Sequence, residues 1–98
     1  MGTLHIVSKS PFASSALADC LRVCGEATIL LIEDGVNAAI ADNKWIEPLK
    51  REGLTVYVLQ ADCEARGLSQ RIDSEFTLTD YAGFVRLCCE HTPVISWY

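Results

Sequence analysis

The chain contains five cysteines, whose thiols are the side chains best suited to nucleophilic or sulfur chemistry. Cys20 and Cys24 are four residues apart, Cys88 and Cys89 are adjacent, and Cys63 stands alone. These spacings differ from the C-x2-C pairs that are typical of zinc ribbons and thioredoxin-like sites. Because the number is odd, we predict free thiols in a reducing compartment, and neither disulfides nor a metal site.

The first two cysteines lie on the apolar stripe of a predicted helix, together with Leu17 and Leu21. Cys20 and Cys24 are one helical turn apart, so their side chains should be neighbours. Free cysteine is often buried, and the C-terminal end of a helix disfavours a thiolate. The residues alone therefore favour a packing role, whereas sulfur carrying would need a thiolate that a partner can reach.

Cys63 follows the third predicted strand, and parallel α/β folds gather their sites at the carboxyl ends of strands. Its position makes it a second candidate nucleophile. Asp62 and Glu64 beside it should raise the pKa of its thiol and so oppose that role.

Cys88 joins Tyr81, Phe84 and Val85 on the apolar stripe of the last predicted helix, so we expect it in the core. Cys89 flanks that stripe, and we expect it to be partly exposed.

Other catalytic patterns are missing from the sequence. We interpret His5, in the first strand, as a hydrogen-bonded structural histidine. Asp34-Gly35 is typical of a turn, and we find no Ser/His/Asp set, glycine-rich phosphate loop or pair of catalytic carboxylates. We therefore expect no cofactor.

The net charge of -5 argues against broad nucleic-acid binding, which needs basic patches. Between residues 26 and 42 four acidic residues occur without a lysine or arginine among them. They form either a solvated acidic rim or a docking face for a basic partner segment. No apolar run approaches the roughly 20 residues of a membrane span, and no signal-peptide pattern opens the sequence, so we expect a cytoplasmic protein.

Short apolar runs alternate with helix signals along the whole sequence. We predict strands at 4–7, 27–32, 54–59, 76–78 and 94–98. Helices are predicted at 11–24, 36–41, within 43–52 with a start or kink at Pro48, at 62–66, and from the cap at Asp80 to 91. This alternation predicts one α/β domain over residues 1–98, with three α/β/α layers and a mainly parallel central sheet.

Several short strings, in this order and spacing, resemble the DsrH/TusB family over almost the whole chain. They are Leu4-His5 with Ser10-Pro11, Leu31-Ile32-Glu33-Asp34-Gly35-Val36 with Ala38-Ala39, Val56-Tyr57-Val58-Leu59, Ala65-Arg66-Gly67-Leu68, Asp80-Tyr81, Phe84-Val85-Arg86-Leu87, His91 and Ser96-Trp97. Each string is weak alone, and their common order carries the resemblance.

The resemblance implies a small subunit of a DsrEFH-like or TusBCD-like hetero-hexamer. Its partners would be DsrE/TusD-like and DsrF/TusC-like subunits, and the complex would pass persulfide sulfur to a DsrC/TusE-like acceptor. The sulfur would serve sulfur oxidation or tRNA thiolation. The principal sulfur-binding cysteine of such a complex usually lies on the DsrE/TusD-like subunit, so this chain is not expected to be an enzyme by itself.

DsrH-type members carry a cysteine in the first helix, and Cys20 lies where it is expected. The resemblance therefore favours the DsrH type and implies that Cys20 is an auxiliary sulfur carrier, with Cys63 as a second candidate by position alone. One alternative is a purely structural subunit without a sulfur-carrying thiol. Another is an independent redox or ligand-binding α/β domain.

Overall fold

The computed structural model describes residues 2–98, which form one sheet with helices on both faces. The strands are β1 (Leu4–Val7), β2 (Ala27–Leu31), β3 (Leu54–Leu59), β4 (Thr77–Thr79) and β5 (Val94–Trp97). The α-helices are α1 (Ala16–Val23), α2 (Ile46–Leu49), α3 (Gln60–Ala65) and α4 (Tyr81–Glu90), and a 3-10 helix spans Glu33–Ala39.

All neighbouring strands are parallel, in the order β4-β3-β2-β1-β5. β2 lies at the centre between β1 and β3, and all four residues of β1 are buried. The continuous apolar runs of the sequence are what a strand covered on both faces requires. The predicted α/β fold with a parallel central sheet is therefore confirmed.

The two faces of the sheet are covered unequally. The larger core cluster joins α1, α2, α3 and the 3-10 helix to one face of the sheet, which we call the crowded face. On the opposite face, which we call the α4 face, Leu87 of α4 packs with Leu4, Ile6 and Leu30. One short helix thus covers a whole face, and much of that helix remains in contact with solvent. Among residues 2–98, the helices are all too short to cross a bilayer.

α1 begins at Ala16, five residues later than the start predicted at Pro11. The serines of this segment explain the difference. The hydroxyl of Ser10 accepts the N–H of Phe12 at 3.2 Å, and the hydroxyl of Ser14 accepts the N–H of Ala16 at 3.1 Å. Serine side chains that bind nearby backbone groups compete with helical hydrogen bonds, so the segment turns before it becomes helical.

The helix predicted within residues 43–52 is a single turn, Ile46–Leu49. It starts late because the side chain of Asn43 accepts the N–H of Trp45 at 2.7 Å and holds a turn there. Pro48 lies within this first turn, where its missing N–H costs no hydrogen bond. The helix predicted at 36–41 is the 3-10 helix, which begins earlier, at Glu33.

The side of α4 that faces the core is not the apolar stripe that was predicted from the sequence. Gly83 and Leu87 face the core, whereas Tyr81 and Val85 are 60% and 62% exposed. Cys88, predicted to be a core residue, is only half-buried. Glycine at position 83 allows the helix to approach the chain before it, where a Cβ would overlap a side chain. An apolar ridge is therefore left on the solvent side of α4.

Candidate functional site

Cys20 lies in the middle of α1 and points into the crowded face of the sheet, where it is fully buried. Burial, together with a smaller contribution from the neighbouring Cys24, raises the pKa of its thiol to about 12. The positive charge of Arg51 acts in the opposite direction but does not compensate. At neutral pH the Cys20 side chain is a protonated thiol without contact with solvent.

Cys63 lies in α3, directly after the carboxyl end of β3, as the sequence predicted. It is also fully buried. Its thiol has a pKa raised to about 11, mainly by burial and also by the charges of Asp62 and Glu64, while the charge of Arg66 acts in the opposite direction. Cys20 and Cys63 belong to the same buried cluster, but a different set of charged groups acts on each thiol.

The charged groups around Cys63 connect α3 to the 3-10 helix. Asp62 accepts the N–H of Glu33 at 2.6 Å, and Glu33 has a left-handed backbone with φ of 50°. Arg66 pairs with Asp34 at 3.0 Å and with Asp62 at 3.7 Å. Within the acidic stretch, the carboxylate of Asp34 is thus paired inside the chain, whereas Glu33 is held through its backbone N–H. Both contacts support a structural role at this edge of the sheet.

Cys24 contacts Arg51, a neighbour that was not predicted from the sequence. Its half-buried sulfur accepts a hydrogen bond from the guanidinium of Arg51 at 3.2 Å. The same guanidinium donates to the carbonyl oxygens of Leu21 at 3.1 Å and Gly25 at 3.4 Å. Arg51 comes 27 residues after Cys24 in the sequence. Both residues lie near the amino-terminal ends of the strands, because α1 ends there and the chain returns there before β3. Knowledge of this topology is the signal that could have indicated the contact.

The last two cysteines lie near the end of α4. Burial raises the pKa of the Cys88 thiol, and the adjacent Cys89 adds to this effect. Cys89 itself is exposed, as predicted. Within residues 2–98, no group of three or more His, Cys, Asp or Glu side chains is arranged to hold a metal ion.

An open cleft of about 280 Å³ lies where the carboxyl ends of β1 and β5 meet α4. Its walls combine apolar and polar residues: Ile6, Ser8, Lys9, Ile32, Glu33, Phe84, Ser96 and Tyr98. None of these lining residues is a cysteine. The thiols of this chain are therefore separate from the cleft at which a parallel α/β fold usually binds its ligand.

The chain is similar to known proteins of one family. The family model described as "DsrH like protein" matches residues 9–94. The TusB proteins of Escherichia coli strain K12 and of Escherichia fergusonii are both 38% identical to this chain over 95 residues, which cover 96% of this chain and 99% of theirs.

Among solved structures, the crystal structure of the ychN protein from E. coli has a TM-score of 0.80. The match covers 98% of this chain and 99% of that one, at 17% sequence identity, and so it shows the fold alone. The family model and the TusB proteins carry the assignment further. The chain belongs to the DsrH family of sulfur-relay components, which act with partner subunits.

Proposed function

We propose that this chain is a cytoplasmic subunit that joins DsrE/TusD-like and DsrF/TusC-like sister subunits in a hetero-hexamer. There it helps to pass persulfide sulfur to a DsrC/TusE-like acceptor. Family membership supports the sulfur-relay role. The observation that best supports assembly is the apolar surface that the free chain leaves uncovered on α4 and β5.

This uncovered surface consists of two features. On the outer side of α4, Tyr81 and Val85 are one helical turn apart and both are mostly exposed. On the edge strand β5, Val94 and Ile95 are 41% and 38% exposed. A domain of this size buries a modest share of its surface, and an apolar edge strand favours pairing with another chain. Both features are what a subunit in a permanent assembly would bury.

Co-expression with the two sister subunits, followed by native mass spectrometry, tests this proposal. The wild-type chain should co-purify in a complex with two copies of each subunit. Val85→Glu should weaken assembly, because it places a charge in the apolar contact, and should leave the free chain folded, because the side chain is 62% exposed. Arg86→Gln, at the next position of α4 and also exposed, is the matched control. A wild-type chain that stays alone would contradict the proposal.

Burial argues against both candidate sulfur carriers from the sequence, Cys20 and Cys63. A thiol with a pKa of about 12 is ionised in on the order of one molecule in a hundred thousand at neutral pH. Burial therefore favours Cys20 as a packing residue, and the same reasoning applies to Cys63. The second candidate role, Cys20 as an auxiliary sulfur carrier, requires that partner binding exposes the thiol.

Sulfur loading of the assembled complex separates these two roles for Cys20. We expect that Cys20→Ser leaves sulfur transfer to the acceptor unchanged and that the Cys20 peptide gains no sulfur mass. Cys63→Ser in the same complex provides the matched test for the second buried thiol. Added sulfur on the Cys20 peptide, together with slower transfer in Cys20→Ser, would establish the carrier role instead.

A further inference from the structure

We propose that the edge strand β5 pairs antiparallel with β5 of a second copy of this chain, so that the two five-stranded sheets become continuous. This inference rests on the proposed function in one respect. An assembly with two copies of each subunit relates the two copies of this chain by a two-fold axis. The inference names the surface at which these two copies meet.

The two edges of the sheet differ in how open they are to another strand. β4 has only three residues and is followed directly by the helix cap Asp80. β5 has four residues, and none of them is charged or a proline. Natural edge strands are usually kept from pairing by short length, charged side chains, proline or a cover. β5 is therefore the edge of this sheet that favours pairing with another chain.

The backbone groups of β5 alternate between β1 and the outside. The N–H of Leu4 donates to the carbonyl of Pro93 at 3.0 Å, and Leu4 is level with Val94. In a parallel ladder, every second residue directs both backbone groups to the same neighbour, so Val94 and Ser96 direct theirs outward. For the chain from Gly2 to Tyr98, these outward groups have no backbone partner. Four hydrogen-bonding groups are thus left for another strand.

These four groups are complementary to themselves. A strand that pairs with its own copy about a two-fold axis must run antiparallel to it. When Val94 of one copy lies opposite Ser96 of the second copy, all four outward groups on each strand form hydrogen bonds. The same register places Ile95 opposite Ile95 of the second copy, as a non-hydrogen-bonded pair with Cα atoms about 4.5 Å apart. The alternation of β5 therefore specifies one register for a second copy.

The side chains of β5 also suit this pairing. Ile95 is level with His5 and lies on the crowded face, whereas Val94 is level with Leu4 on the α4 face. They are 38% and 41% exposed, so a second copy would cover apolar surface on both faces. Residues 92–98 carry no charged side chain, although the net charge is -5. The paired strands therefore meet without the like-charge repulsion that opposes cross-strand contacts.

Sedimentation of the free, full-length chain tests the pairing. The wild type should form a dimer whose fraction rises with concentration. Ser96→Pro should abolish the dimer, because proline removes an outward N–H group and none that bonds to β1. Ser96→Ala keeps this N–H group, so it should still dimerise and is the matched control. Circular dichroism should show the same secondary structure in both variants.

A charge exchange at the axis provides a second test that does not use proline. Ile95→Lys and Ile95→Glu should each sediment as a monomer, because equal charges would lie opposite each other. An equimolar mixture of the two should dimerise again, because opposite charges then meet. Leu78→Lys is the matched control on the other edge strand, where Leu78 is 40% exposed, and it should leave the dimer intact.

Three results would overturn the inference: a wild-type chain that is monomeric at every concentration, a dimer that persists in Ser96→Pro, or a mixture of the charged variants that remains monomeric. The complex with the sister subunits gives an independent readout by native mass spectrometry. There Ser96→Pro should yield one copy of each subunit, at half the wild-type mass. Two copies of each in Ser96→Pro would contradict β5 pairing and leave the relay assembly intact.

Failure of the proposed function gives a different result. If the wild-type chain formed no complex with the sister subunits, the proposed function would be overturned. The sedimentation of the free chain and of its variants would still decide whether β5 pairs with a second copy.

Discussion

The indole N–H of Trp97 donates a hydrogen bond to Nδ1 of His5 at 3.0 Å. Trp97 ends the edge strand β5, and His5 lies on the neighbouring inner strand β1, so this bond adds a side-chain contact to the pairing of the edge strand. Because Nδ1 accepts, the neutral His5 ring must carry its proton on Nε2. Protonation of Nδ1 would place two donors against each other and break the bond.

Acidification should therefore lower the free energy of unfolding. Burial lowers the pKa of His5 in the folded chain below its ordinary value of 6.5. The unfolded chain then binds more protons between these two pKa values. The contribution of His5 to stability is complete above pH 6.5 and is lost as the pH falls through the lowered pKa. Urea unfolding followed by tryptophan fluorescence between pH 7 and about pH 5 measures this loss.

A histidine variant provides the control for this pH dependence. His5→Asn should be less stable than wild type at pH 7, and its stability should change less over the same pH interval. The pKa of Asp73 is also lowered, but from 3.8, so its contribution is lost at lower pH than that of His5. Equal slopes for His5→Asn and wild type would show that His5 does not cause the acid sensitivity.

The ion pairs at the carboxyl ends of β2 and β3 should differ in strength. Asp62 is 17% exposed, accepts the N–H of Glu33 and pairs with Arg66, whereas Asp34 is 63% exposed. Asp62→Asn should cost about 1–2 kcal/mol of unfolding free energy, because it weakens a charge-assisted bond that holds a left-handed residue. Asp34→Asn should cost less than about 0.5 kcal/mol, since exposed pairs contribute little. Equal losses in chemical denaturation would contradict this ranking.

Gly35 packs directly against the backbone of β1. A Cβ at this position would overlap the carbonyl oxygen of Val7, which also accepts the N–H of Ile32 at 3.1 Å. Gly35→Ala should therefore cost about 2–3 kcal/mol, because the backbone cannot move aside without disturbing the buried strand β1. Gly2→Ala is the control, since a Cβ there meets no atom within 4 Å. Similar melting temperatures for both variants would show that the 3-10 helix shifts freely.

The strands could be predicted from the sequence because continuous apolar runs reflect burial on both faces, which one parallel sheet provides. The start of α1 could not be predicted, because it depends on whether the hydroxyls of Ser10 and Ser14 bind nearby backbone groups. The inward side of α4 was also misjudged. Helical periodicity places Tyr81 and Val85 on one stripe but does not show whether that stripe meets the sheet or a partner.

In the candidate site, features that depend on nearby residues could be predicted from the sequence, whereas contacts between distant residues could not. The position of Cys20 on the apolar stripe of α1 predicts its burial, and the structure confirms it. Cys24 lies directly after the last residue of α1, at the helix end where the sequence places it. Its contact with the guanidinium of Arg51 is one that no spacing along α1 can reveal. Long-range contacts of this kind depend on how the chain returns past the amino-terminal ends of the strands.

Sulfur transfer in a reconstituted relay tests the central claim most directly. Isotopically labelled persulfide would be loaded on the DsrE/TusD-like subunit, and the label on the DsrC/TusE-like acceptor would be followed by mass spectrometry. With both sisters present, transfer should be fast when this chain is added and much slower when it is omitted or replaced by Val85→Glu. Equal transfer with and without this chain would contradict its role as a relay subunit.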